Sequence, residues 1–283
     1  MPLNQACVGK TYAAVTTEVS REAIEKYARA YNDDNPGFFD SNRAGGIVAP
    51  PLFGVVVTWP SLVNAVTDSE LHADLLRLLH GEQEMEFFNP IRPGDKITST
   101  AKIASIETRP TGEALTIELD AIDETRERKV RILFGAFIRG GGSRRAREKE
   151  QETQGVERAA IVTVSQQIDA DQTYRYAEAS GDLNPIHVDE NVARMAGLPG
   201  IIVHGLCTMA FTSKVMIDNL CAGDPTRLKR LSVRFARPVF PGQIITTKVS
   251  SAGDKNGRQL FRFETYNPEG RAVIRDGIAE IVG

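Results

Sequence analysis

The apolar residues of this chain fall into two series with the same order. Each has a short β-rich run, a short helix, a polar loop, a longer helix and then several alternating runs punctuated by Pro, Gly and Asn. In the second series, residues 161–168 predict a strand and 169–179 a short helix that ends near Gly181, because glycine tolerates the left-handed backbone that closes a helix. Residues 205–220 (GLCTMAFTSKVMIDNL) predict the longer helix, which is apolar on more than one face and therefore needs to be enclosed by other structure. Residues 231–237, 244–251, 258–266 and 271–281 predict strands. Long β runs after one enclosed helix predict an α+β fold, an antiparallel sheet wrapped around that helix.

The two series are copies. Residues 27–36 (YARAYNDDNP) match 176–185 (YAEASGDLNP), and 87–94 (FFNPIRPG) match 235–242 (FARPVFPG) at nearly the same spacing, the signature of an internal duplication. Between them, Gly140, Gly141, Gly142 and Ser143 lead into a charge run, as in a flexible connector. The expected units are 1–140 and 159–283, joined by 141–158. The basic cluster Arg144, Arg145 and Arg147 is followed directly by Glu148, Glu150 and Glu152, which favours a solvated connector over a binding patch.

With 283 residues, 41% of them hydrophobic, each unit of about 140 residues can bury a core of its own. A net charge of −3 gives no basic excess, so neither nucleic acid nor an anionic membrane is an expected partner. Cys7, Cys207 and Cys221 form neither a CxxC pair nor an even framework, which points to reduced thiols. No run approaches the ~18 apolar residues of a membrane span. The first ten residues lack an apolar signal core, and Ile281, Val282 and Gly283 are not a peroxisomal tripeptide. A cytoplasmic location is the expectation.

The candidate chemistry lies in the loop after the short second helix. Asp182 and His187 flank Asn184 and Pro185. Proline fixes one backbone angle and asparagine bonds local main chain, so the loop can hold a bend that brings a carboxylate and an imidazole to one pocket. Such a pair can accept one proton and deliver another near neutral pH. His204 and Gly205 open the apolar helix, where the Gly205 N–H is among the unpaired donors of the first turn and can hold a carbonyl oxygen that gains charge. Individually, Asp182 and Asn184 are ordinary turn residues, His187 reads as a buried structural imidazole and Gly205 as a packing glycine. Together, beside a copy that lacks two of these features, they read as a site.

That copy has Phe38 where His187 stands, and Pro51 where Gly205 stands. Phenylalanine has no proton to exchange and proline has no N–H to donate. One active site per chain is expected.

At these residues the chain resembles the MaoC-like, hydratase 2 family of (R)-specific enoyl-thioester hydratases in its two-unit form, over nearly the whole length. Its motif Y-A-x-x-S-G-D-x-N-P-I-H is uninterrupted at 176–187. The resemblance implies a double hot dog fold, one antiparallel sheet and one long helix per half. It implies syn addition of water to a trans-2-enoyl thioester, with Asp182 and His187 as the catalytic pair, Asn184 supporting the loop and the Gly205 amide holding the thioester carbonyl. The segment Leu79, His80, Gly81, Glu82, Gln83 resembles the LHGEQ segment that contacts coenzyme A, whereas from the residues alone His80 and Gly81 read as the C-terminus of a helix. By the same resemblance Arg109 falls near the nucleotide and Phe235 lines the site, and His204 and Ser213 join the substrate-binding candidates. Gln243 stands where many relatives have Asp after the Pro-Gly pair, a change expected to touch only a turn.

No metal and no cofactor is expected, coenzyme A entering as part of the substrate. The acyl group could also arrive on an acyl carrier protein, and a homodimer is expected. The resemblance also implies medium or long acyl chains, because in the two-unit family loss of catalytic groups from the first half goes with room for bulky acyl groups. Two rival readings remain: a hot dog thioesterase acting on the same substrates, and a non-catalytic acyl-CoA binder.

Overall fold

The computed structural model describes residues 1–75, 77–140 and 159–283, so the expected connector 141–158 and its charge run lie outside the described residues. The first half contains β1 (Val15–Glu18), α1 (Arg21–Arg29), α2 (Gly54–Val66), β2 (Leu78–Phe87), β3 (Lys96–Arg109), β4 (Gly112–Ile122) and β5 (Arg128–Arg139). The second contains β6 (Val162–Gln167), α3 (Gln172–Ser180), α4 (Glu190–Met195), α5 (Gly205–Leu220), β7 (Leu228–Phe235), β8 (Ile244–Lys255), β9 (Arg258–Tyr266) and β10 (Ala272–Val282). The long helix has the predicted bounds, and the strands agree with expectation to within a few residues. α4 was not foreseen. It occupies the extra residues of the second loop and is capped by Asp189, whose carboxylate accepts the N–H groups of Asn191 and Val192.

All strands join one antiparallel ten-stranded sheet in the order β1-β3-β4-β5-β2-β7-β10-β9-β8-β6. The order reads the same from both ends when each strand is replaced by its copy, so β2 against β7 is the seam between the halves. Each half wraps its sheet around its longer helix, the double hot dog arrangement. α5 buries Leu206, Met209, Phe211, Val215, Met216 and Ile217, which accounts for its apolar character on several faces. α1 and α3 meet across the seam, where the buried hydroxyls of the equivalent residues Tyr27 and Tyr176 bond at 2.9 Å.

One reading from residues alone is overturned. His80 and Gly81 lie inside β2, and the helix terminus expected there does not exist. β2 pairs with both β5 and β7, and Gly81 is the extra residue of a bulge between His80 and Glu82. A Leu-rich stretch ending in His-Gly satisfies helix-end rules locally, and pairing of residues 78–80 with β5 overrides them.

The Pro-Gly turns of the two halves are closed alike. The Gln243 side chain accepts the Phe240 N–H at 3.1 Å, and Asp95 in the first half accepts the Arg92 N–H at 2.9 Å. The change to glutamine keeps the turn, as expected. Among the described residues no helix is long and apolar enough to cross a membrane.

Candidate functional site

α3 ends at Gly181, whose φ of 81° is the left-handed cap that glycine accommodates without strain. The chain then folds on its own side chains. The Asp182 carboxylate accepts the Asn184 N–H at 3.1 Å, and the Asn184 side chain accepts the Ile186 N–H at 3.4 Å, capping a 3-10 turn at Pro185–His187. Asn184 is exposed and supports the loop by this cap. One Asp182 oxygen is thereby engaged by main chain, and the other stays open for chemistry.

His187 is buried, and its Nδ1 donates to the Ile202 carbonyl at 2.8 Å, which leaves Nε2 available. His204 lies behind it, its ring stacked on that of His187 with centroids 3.8 Å apart and planes 27° from parallel. Side-chain atoms of Asp182, His187 and His204 all come within 4.8 Å of one another. The loop therefore does bring carboxylate and imidazole into one environment. Burial raises the Asp182 carboxyl above its ordinary value, opposed by His187 and the Asn184 N–H. Burial lowers the His187 imidazole, opposed by Asp182. Both shifts favour the uncharged forms, so an overall neutral pair holding one proton is the stable resting unit.

Gly205 is the first residue of α5, and the earliest N–H bonded within the helix to this end is that of Thr208, to the His204 carbonyl at 3.1 Å. The Gly205 N–H has no acceptor among the described residues. A Cβ at this position would meet the Phe235 ring at 3.2 Å, so the absence of a side chain lets Phe235 lie against the helix head. Phe235 in turn meets His80 edge-on at 4.9 Å, and His80 lies over Phe134 at 4.3 Å with its Nε2 3.0 Å from the Gln83 side-chain oxygen. Burial lowers the His80 imidazole to about 4, so it is neutral near pH 7. First-half residues thus stand directly beside the second-half helix head, because β2 and β7 are paired.

The remaining candidates are more distant. Arg109 ends β3, pairs with Glu107 at 3.2 Å and lies three strand spacings across and three residues along the sheet from His80, roughly 17 Å away. Ser213 is buried two turns along α5, about 12 Å from Gly205 along the axis, which is too far to touch a carbonyl held there. His204 is only 1% exposed, which leaves it almost no surface to offer a substrate. Two contributors escaped the sequence reading. Trp59 of α2 approaches Gly181, its Cδ1 3.5 Å from where a Cβ would stand, and Phe134 forms the floor under His80. Neither belongs to a motif, and the alignment of copies, which pairs α2 with α5, offered a route to Trp59 alone.

Asp182, His187 and His204 are also a possible metal-ligand set by residue type. Their arrangement does not suit one, because the imidazoles stack face to face and their in-plane lone pairs do not converge on one point.

Comparison with known proteins agrees with this geometry. Residues 149–272 match the MaoC like domain, and residues 6–131 match the FAS1-like, dehydratase domain region. The chain is 31% identical over 240 residues to the probable enoyl-CoA hydratase 2 of Dictyostelium discoideum, covering 82% of this chain and 80% of that protein. It is 29% identical over 240 residues to the peroxisomal multifunctional enzyme type 2 of Mus musculus, covering 82% of this chain but 32% of that longer protein. A MaoC-like dehydratase from Phytophthora Capsici superimposes with a TM-score of 0.83 at 24% identity, over 99% of this chain and 98% of that one, a likeness of fold. Similarity to the Dictyostelium protein over most of both chains, together with the intact loop and the open helix head, establishes that this chain belongs to the MaoC-like, hydratase 2 family.

Proposed function

We propose that this chain catalyses reversible syn addition of water to a trans-2-enoyl thioester of coenzyme A, giving the (R)-3-hydroxyacyl thioester. The observation that carries the reading is the approach of Asp182 and His187 side-chain atoms to within 4.8 Å of one another beside a helix whose first N–H has no internal acceptor. In the hydration direction the Gly205 N–H holds the thioester oxygen as it gains charge, worth roughly 2.7 to 4 kcal/mol in comparable sites. The step starts from the ion-paired form of the pair, reached by moving its one proton from the Asp182 carboxyl to His187 Nε2. The carboxylate takes a proton from water, the hydroxide forms the C–O bond at C3, the C2–C3 π pair moves onto the thioester, and the His187 imidazolium delivers its Nε2 proton to C2. The pair's single proton has then passed from imidazole to carboxyl, which returns the pair to its uncharged resting form. Each of the two groups is expected to contribute roughly 10² to 10⁴ in rate.

The chemistry needs no cofactor, only proton transfer and electron-pair movement. His80, Gly81 and Phe235 are assigned to the thioester's entry, Arg109 to the nucleotide end, and the first half to binding without chemistry. Medium or long acyl chains are favoured. An acyl carrier protein is the alternative carrier of the acyl group; a homodimer in solution and a cytosolic setting complete the proposal, the last supported by three buried, unpaired thiols.

The test is loss of the conjugated enoyl absorbance on mixing the protein with a trans-2-enoyl-CoA series, repeated with Asp182→Asn and His187→Gln. Release of free thiol would assign a thioesterase, and binding with unchanged absorbance would assign a non-catalytic binder. Turnover of crotonyl-CoA far better than decenoyl-CoA would overturn the chain-length assignment.

A further inference from the structure

His204 touches every part of the site yet has almost no surface of its own. Its Nε2 donates to the main-chain carbonyl of Asp182 at 3.0 Å, which fixes the tautomer and leaves Nδ1 as a bare acceptor, buried and without a partner among the described residues. One face of the ring lies on His187 at 3.8 Å, and the Tyr176 ring is 5.1 Å away. As the residue before α5, it also sets the direction in which the Gly205 N–H leaves the helix.

We propose that His204 is a positioning residue: a neutral imidazole that joins the main chain bearing the carboxylate, the plane of the His187 ring and the head of α5 into one rigid unit. This rests on the hydratase reading of the same site. A misplacement of about 1 Å in such a site costs on the order of a hundredfold in rate, and while Ile202 ties the two segments at Ile186 and His187, His204 supplies the tie that reaches the Asp182 main chain.

Neutrality is part of the role. Burial, reinforced by neighbouring His187, lowers the His204 imidazole to about 3. A charged ring at stacking distance would oppose protonation of His187. Tyr176, the other titratable group against this ring, is held well above the ordinary phenol value by burial and bonds the Tyr27 hydroxyl. Asp182, raised by burial, and His187, lowered by it, are the other titratable groups that face His204.

The two properties of the ring, its donor and its flat face, can be removed one at a time. His204→Phe keeps a ring against His187 and loses the donor to the Asp182 carbonyl. We expect kcat to fall by about tenfold to a hundredfold with KM little changed. His204→Gln keeps an N–H that reaches the carbonyl and loses the face. We expect kcat to recover toward wild type, while His187, less buried, titrates at higher pH by NMR and carries the acid limb of the rate profile upward with it.

A merely structural role would lower Tm in both variants and leave the kcat-against-KM split and the His187 titration unmoved. The proposal is overturned by unchanged kcat in folded His204→Phe, by a loss confined to KM, or by an unshifted His187 in His204→Gln. If His204→Phe does not fold, the His187 titration in His204→Gln decides alone. Wild-type protein without hydration activity would instead sink the functional reading, and the NMR titration would still report on the coupling of the two rings.

Discussion

The loop from Asp182 to His187 and its copy from Asp33 to Phe38 share a backbone and differ in what faces the carboxylate. In both, the aspartate accepts the N–H of the asparagine two residues on, at 3.1 Å for Asp182 and 3.0 Å for Asp33. In both, that asparagine caps a 3-10 turn begun by proline, through Ile186 in one and Gly37 in the other. The second carboxylate meets His187, which can exchange a proton. The first meets Lys214 of α5 at 3.2 Å, while Phe38 fills the histidine position, fully buried. Burial raises both carboxyls before these neighbours act. The Asp-x-Asn-Pro frame is therefore a folding device, and reactivity was kept or lost through the groups packed against it.

Exchange of catalytic groups should separate the copies most widely. Asp182→Asn or His187→Gln is expected to lower kcat/KM by about 10² to 10⁴ with folding retained, and the double variant to lose little more, because the pair acts as a unit. Asp33→Asn should leave kcat essentially unchanged, and steady-state kinetics on all four proteins measure the contrast.

Next comes the helix head. Gly205→Pro copies the first half and removes the donor, so kcat should fall by an amount equivalent to roughly 2.7 to 4 kcal/mol. Circular dichroism would check that α5 persists, and an unchanged kcat would mean that another donor holds the carbonyl.

The first copy should answer in stability. Lys214→Met leaves the buried Asp33 carboxylate without its cation and should cost about 3 kcal/mol in urea unfolding at neutral pH. The sign with pH follows from the raised carboxyl: its protonated form is favoured in the folded state, so the deficit should shrink as pH falls through the folded pKa toward the unfolded one. A deficit independent of pH would count against an ion pair at this position.

The finest contrast is in pH dependence. A pair that works with one proton gives a bell-shaped kcat/KM profile. Burial resists the second proton and the loss of the first, so the acid limb should lie below the ordinary imidazole value and the alkaline limb above the ordinary carboxylate value. A profile in wild type with only one limb would break the pairing.

Sequence alone determined what depends on short spacings: the duplication, the Gly181 helix stop, the Asn184-Pro185 turn, the bounds of the enclosed helix and the α+β order of elements. These follow from backbone preferences and apolar periodicity, which neighbouring residues encode. It misread His80 and Gly81, and it could not foresee α4, the approach of Trp59 to Gly181 or the ion pair of Asp33 with Lys214. Only the tertiary structure decided those, along with the place of His204 behind the catalytic ring, because they depend on which faces meet when β2 and β7 pair and the copied loops pack against helices of the opposite half. No local pattern specifies such a meeting. It is set by the packing of segments far apart in the chain, and that packing gives one carboxylate an imidazole for a neighbour and the other a lysine.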